Sequence, residues 1–309
     1  MSSDLPHAWL MDIADLKFAR TGEVTCHNYA HLGYQRLTWG VYGLPVGTSG
    51  AADEFEARRQ RFIQWVRAVV AAYQGTPVAL HGATGLQVLG VALPESAEDW
   101  DHIHLCVPAG ACRPRRRGVV PHVTSRLDVW RTVRGMPVPN PVDLWVQLRG
   151  LSEDELVEVG DGLVRRQRPL LSIGQMERRL DELAGAPGIQ QVRRAARFVM
   201  PGTDSLFETR VRMIVVRFGL PTPAVNLPVR VPSIGRTYHL DMGYEEERVG
   251  LEFDGRVHVG AGRQMDIDVA RHRDLLDAGW FIIRVTAGHL GDPKQFLRPL
   301  ERALIMRAP

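Results

Sequence analysis

The sequence predicts an α/β fold in a chain of several domains, on three observations. The stretch Tyr238 to His258 alternates with a period of two on either side of Glu245-Glu246-Glu247-Arg248, so it reads as a strand, a tight charged turn and a second strand. Helical patterns stand before it, from Asp204 to Phe218, and after it, where Met265, Val269, His272 and Leu276 form a stripe that stops at Gly279. A largely apolar run from Trp280 to Thr286 then reads as a further strand, and Lys294 to Met306 as a terminal helix. Helix, antiparallel hairpin, helix and strand in that order mix both element types around one sheet. At 309 residues the chain has room for two domains or more.

Composition bounds the rest. Apolar content of 45% and charged content of 24% are those of an ordinary globular protein. No run of uncharged apolar residues is long enough to span a bilayer, and the first residues lack the basic-then-apolar order of a secretory signal. Cys26, Cys106 and Cys112 cannot all pair, which suits a reducing cytoplasm. Net charge is +3, and the only lysines are Lys17 and Lys294. An arginine-rich surface is compatible with phosphate binding, although a GC-rich coding sequence yields the same bias without function.

Along the chain, Leu10 to Arg20 is expected as a short amphipathic helix carrying Met11, Ala14, Leu16 and Phe18. Thr25 is a plausible N-cap for a second short helix through Leu32, broken at Gly33, and Arg36 to Pro45 has the form of a β-wing. After a Gly/Ser/Ala-rich connection, Glu54 to Tyr73 is an amphipathic helix with Phe62, Val66 and Val69 on its apolar side. His81 precedes a helical stretch and is read as structural. The strand Asp101 to Val107 places His102, His104 and Cys106 on one face; with Cys112 they could hold zinc, but turn-borne C-x-x-C pairs are absent and a half-exposed sheet face is the better reading. The basic run Arg113 to Arg117, with Arg115 and Arg116, is either a phosphate-binding loop or a solvated one. Asn140 caps a helix begun by Pro141, and further helices cover Ser152–Gln167, Ser172–Ala184 and Ile189–Val199.

The hairpin carries the chemistry. Asp241 lies opposite Glu252 or one step diagonal to it, and Asp254 shares the face of Glu252. Carboxylates across a ladder repel. One of them can stay protonated, a hard divalent cation can sit between them, or the hairpin can lie on the surface with one acid paired to Arg256.

The run Asp241, Leu251-Glu252-Phe253-Asp254-Gly255, His258, Asp268, Arg271, Arg273-Asp274, Gly279-Trp280 and Arg284-Val285 resembles the Vsr-like domain of unknown function. That family belongs to the PD-(D/E)xK nuclease group and is related to the very-short-patch-repair endonuclease. The resemblance implies a restriction-endonuclease-like α/β/α core, a Mg²⁺ or Mn²⁺ cofactor, and metal ligation by Asp241 and Glu252. Asp254, where the wider group usually has lysine, orients water or adds a ligand. His258 serves as general base or acid, and Glu208, in the first-helix S-x-x-E, joins the site. Arg271 and Arg284 contact phosphate or pair with Asp274. The wing resembles the end of the winged helix-turn-helix of AbiEi-type antitoxins, but Val24 to Arg36 leaves room for one short helix only. The expected domains are therefore 1–46, a truncated winged-helix-like segment; 47–200, a mixed and mainly helical middle region; and 201–309, the nuclease-like domain. The expected function is metal-dependent cleavage of DNA; the alternative is a non-enzymatic DNA-binding antitoxin partnered by a cognate toxin.

Overall fold

The structure, a computed structural model, describes residues 16–45, 54–73, 75–111, 115–125, 127–254 and 262–308. The fold class is α/β, with mixed sheets and helices in both of two compact units. The first unit comprises Met1–Arg149 and Leu183–Ile189, the second Gly150–Glu182 and Gln190–Pro309. Contacts thus divide the chain near residue 149, and the helix that follows that point packs on the later helix Leu206–Arg217, within the same unit as the C-terminal sheet. Its anchors are charged: Glu158 and Asp161 bond Arg210 and Arg212 of the later helix.

In the first unit, β1 (Lys17–Phe18), β2 (Gln35–Thr38) and β3 (Val41–Gly43) form one sheet in the order β1-β3-β2. The helix expected from Leu10 to Arg20 is, over its described part, strand and a 3-10 turn, because Lys17 and Phe18 pair with Tyr42 and Val41. Thr25 to Leu32 is a run of turns, not a regular helix. There the Asn28 side chain takes the Thr25 N–H at 2.6 Å, the competition that disfavours such residues inside helices. The wing is present, with Trp39 76% exposed at its tip.

Next come α1 (Glu54–Ala72), which buries Phe62, Val66 and Val69, then β4 (Ala79–Leu80) and α2 (Gly82–Val88). The strand β5 (Ile103–Pro108) buries Ile103, Leu105 and Val107; it pairs antiparallel with β4 and parallel with β6 (Val119–Thr124). The hairpin β7 (Arg131–Val133) and β8 (Met136–Val138) leads to α3 (Pro141–Val146), whose N-cap Asn140 accepts the Val142 N–H at 2.9 Å as expected.

The second unit begins with α4 (Glu153–Leu163), started by a capping box between Ser152 and Glu155, followed by α5 (Ile173–Glu182) and α6 (Ile189–Ala196). Then α7 (Leu206–Arg217) precedes β9 (Ala224–Val231), β10 (Arg236–Tyr244), β11 (Val249–Asp254), α8 (Gly262–Asp277), β12 (Phe281–Thr286), α9 (Ala287–Gly291) and α10 (Lys294–Arg307). The sheet order is β12-β11-β10-β9, with β12 parallel to β11 and the other pairs antiparallel. Val211 and Val215 of α7 and Phe296 and Leu300 of α10 cover one face with Met242, Leu251 and Val285. Leu275 of α8 covers the other, with Leu227, Leu240 and Ile282; it is Leu275, not the neighbouring Leu276 of the expected stripe, that is buried.

Strict alternation would put Leu240 and Met242 on one face. They belong instead to the cores on opposite faces. The phase slips at Asp241: the ladder with β9 passes from Leu240–Leu227 to Met242–Val225, over an Asn226 held at φ 48°, and the ladder with β11 begins only at Met242–Leu251. Just beyond, a Cβ on Gly243 would stand 2.7 Å from the Val249 carbonyl oxygen, which is backbone and cannot rotate away. Gly243→Ala is therefore expected to cost about 1–3 kcal/mol, seen as a lower urea midpoint at an unchanged slope.

Candidate functional site

The predicted acids gather at the end of the β10–β11 hairpin. Asp241, freed from the ladder, accepts the Phe253 N–H at 2.7 Å. Glu252 points to the α8 side, where its carboxylate accepts from Arg271 at 2.5 Å; the same guanidinium also reaches the His239 carbonyl at 2.6 Å. On the α7 side, Glu208 caps its own helix, accepting the Asp204 N–H at 3.0 Å and the Ser205 hydroxyl at 2.9 Å.

All three carboxyls are pushed above their ordinary range, and burial is the largest cause in each. Phe253 N–H and Arg271 pull Asp241 back in part. Arg271 does the same for Glu252, while Asp241 raises it. For Glu208 the cap bonds lower the value and Asp241 raises it. The three therefore form one electrostatic group with Asp241 at its centre. Among the described residues they do not close to a common metal-ligand spacing, because Arg271 holds Glu252 and the helix start holds Glu208. Their oxygens are nevertheless the donor type a hard divalent cation takes.

The raised values have a sign. A carboxyl whose folded pKa exceeds its unfolded one contributes stability that is full below the ordinary carboxylate range and lost as pH rises through the folded value. Without divalent ions, the melting temperature of the wild type should fall, as pH rises above the ordinary carboxylate range of about 4, more than that of Asp241→Asn, which keeps an acceptor for Phe253. Parallel curves for the two would mean that Asp241 is not coupled to its neighbours.

Other predicted residues are sorted as follows. Asp254 ends β11 beside Thr286 of β12. Arg284 stands next to Glu252 across the parallel ladder and lowers its pKa. Arg271 pairs with Glu252 and not with Asp274, whose carboxylate is taken by the Tyr238 hydroxyl at 2.6 Å. His258 and Arg256 lie outside the described residues. Unpredicted was an aromatic pair at the site: Phe207 stacks on Phe253 at 4.8 Å between centroids and is 40% exposed.

Arg115 and Arg116 lie in the first unit, in a concavity of about 1060 Å³ shared with Arg36, Trp39, Trp65 and Tyr73. Arg116 donates to the Trp39 carbonyl at 2.8 Å and lies over the Tyr73 ring at 5.3 Å. Among the described residues, His102, His104 and Cys106 do not come together as the zinc set weighed for β5. Cys106 is buried, with its thiol pushed up to about 11 by that burial, and Cys112 lies outside the described residues. His104 instead meets His81 and His122, an association that sequence reading missed.

No protein-family model matches the chain. Two Mycobacterium tuberculosis proteins, each called an uncharacterized protein, are 24% identical to it over 260 residues, spanning 82% of this chain and 85% of theirs: MT2308 of strain CDC 1551 / Oshkosh and Rv2248 of strain ATCC 25618 / H37Rv. Among solved structures, that of the RV2827C protein from Mycobacterium tuberculosis is similar at a TM-score of 0.33 and 14% identity, over 72% of this chain and 85% of that one. No helix among the described residues is long and apolar enough to cross a membrane.

Proposed function

We propose that the chain is a Mg²⁺- or Mn²⁺-dependent endonuclease that hydrolyses DNA phosphodiester bonds, in repair, defence or mobile-element biology. The observation that carries this reading is the trio Asp241, Glu252 and Glu208, all partly buried, in which Asp241, at the point where the β10 ladder is interrupted, repels both of the others. A group so placed costs stability unless a cation uses it, and strained or perturbed acids concentrate at functional sites. The donor set fits a hard divalent ion, with Asp241 and Glu252 as the residues that would hold it. Such an ion supplies Lewis acidity to a phosphoryl oxygen and lowers the pKa of a bound water.

The chain's own groups do the remainder. The Phe253 N–H fixes the Asp241 carboxylate in one orientation. Arg271 holds Glu252 and, so placed, its guanidinium would suit a phosphate oxygen of the substrate. Asp254 orients water, and His258 is the group whose ordinary pKa suits proton transfer near neutrality. Exposed Phe207, stacked on Phe253 and with the Arg210 guanidinium 5.4 Å from its ring centroid, adds an aromatic and cationic edge suited to nucleic acid.

The test is incubation of the full chain with supercoiled plasmid and with single-stranded DNA, in Mg²⁺, Mn²⁺ or EDTA, beside Asp241→Asn as a guard against contaminating nuclease. Metal-dependent nicking by the wild type alone is expected. Inert wild type in every metal overturns the proposal.

A second reading, a DNA-binding antitoxin with a cognate toxin, is favoured by the arginine- and aromatic-lined concavity under the wing. Salt-sensitive DNA binding by a protein that cleaves nothing, weakened by Arg115→Ala/Arg116→Ala, would support it.

A further inference from the structure

The first unit holds a second cluster of ligand-type side chains, chemically unlike the acids. His81, at the N-cap of α2, His104 on β5 and His122 on β6 each offer a ring nitrogen, all within 4.8 Å of one another. His104 Nδ1 lies 2.9 Å from His122 Nε2, and the His81 and His122 rings are parallel at 3.7 Å between centroids. All three are only partly buried, so an ion can reach them.

From this geometry we propose that His81, His104 and His122 form a binding site for a divalent transition-metal ion of the zinc type, leaving one position open to water or an anion. Imidazole donors select ions such as Zn²⁺ over Mg²⁺, so this site is distinct in chemistry from the carboxylates and does not rest on the nuclease reading. Three arguments support it.

The first is spacing: ligands about 2.0–2.1 Å from a tetrahedral ion lie about 3.3 Å apart, close to the His104–His122 separation. The second is the outer shell. His104 Nε2 is 3.1 Å from Asp99 Oδ2, so the carboxylate takes that N–H and leaves Nδ1 as the lone pair facing the cluster. Asp99 is itself fixed, its Oδ1 accepting the N–H groups of Asp101 at 3.1 Å and His102 at 2.9 Å.

The third is rigidity. The His81 N–H donates to the His104 carbonyl at 3.0 Å, the His104 N–H to the Thr84 hydroxyl at 3.0 Å, and the Gly82 N–H to the Gln147 side chain at 2.7 Å. The backbones carrying two ligands are thus locked together. One movement is required: two parallel rings cannot both aim a nitrogen at one ion, so His81 must tilt out of its stack on binding. Arg149 acts electrostatically on both His81 and His122, which favours hydroxide or an oxyanion over a neutral fourth ligand.

The experiment uses the tag-free full chain, stripped with EDTA and titrated with Zn²⁺ by calorimetry and with Co²⁺ by visible absorption. One ion per chain and a tetrahedral Co²⁺ spectrum are expected, with binding lost in His122→Gln and weakened about 10–100-fold in Asp99→Asn. A zinc-induced rise in melting temperature of the wild type provides a readout that needs no variant to fold. No ion binding by the wild type overturns the proposal and leaves a hydrogen-bonded histidine stack. Unchanged binding in a folded His122→Gln overturns it as well, by placing the ion elsewhere.

Discussion

Asp241→Ala and Glu252→Ala are each expected to slow metal-dependent DNA cleavage by on the order of 10³-fold, measured as single-turnover rates at saturating metal. Metal-borne charge stabilisation is worth several kcal/mol, and each 1.36 kcal/mol is tenfold in rate. The two losses differ in kind. Alanine at 241 also strips the Phe253 N–H of its acceptor, so part of its effect is structural. Asp241→Asn keeps that bond and removes only the charge, and it should lose nearly as much activity. At Glu252, Gln leaves an oxygen for Arg271, so a fall in rate without a fall in stability isolates the ligand role. Wild-type rates in both amide variants would remove the carboxylates from the chemistry.

Arg212→Leu is expected to cost about 3–5 kcal/mol of stability. Arg212 and Asp161 are each 1% exposed and meet at 2.7 Å. Asp161 also accepts the Thr209 hydroxyl at 2.7 Å and the Met200 N–H at 2.8 Å, while Arg212 donates to the Phe198 carbonyl at 2.8 Å. Burial already pushes Asp161 up, and Arg212 is the chief influence holding it down. Without the arginine, a buried carboxylate must ionise unpaired or take up a proton. The variant should therefore regain stability as pH falls, over a range where the wild type does not. Urea midpoints at two pH values test this, and Arg212→Leu combined with Asp161→Leu should recover much of the loss, since removing both partners is far less costly than removing one. A loss under about 1 kcal/mol would mean that water reaches the pair.

Much of the second unit was legible because its signals are local. Period-two alternation marks β11 and most of β10, and Ser152 and Ser205 cap the helices their positions announce, as Asn140 does in the first unit. Asp241 and Glu252 were singled out as neighbouring acids for the same reason. What alternation could not foresee is the slip at Asp241, which depends on the left-handed Asn226 of another strand and on a side chain replacing a ladder bond. The partner of Arg271 was likewise hidden, since Tyr238 occupies Asp274 from a distant strand. In the first unit Pro121 masked β6, an edge strand where proline is tolerated. Without β6 there was no reason to place His122 beside His104, nor to take His81 as more than a helix-start residue.

The path of the chain between its units limits how this protein can be taken apart or inherited. Backbone leaves the first unit at Arg149, returns for Leu183–Ile189 and leaves again. A fragment beginning at residue 201, where the nuclease-like motifs begin, would keep Arg210 and Arg212 but discard Glu158 and Asp161. Such a cassette would carry an orphaned cation in its core wherever it was transplanted. The smallest piece that gene fusion or shuffling could move intact starts near Gly150, so the acidic hairpin travels with its upstream helices or not at all.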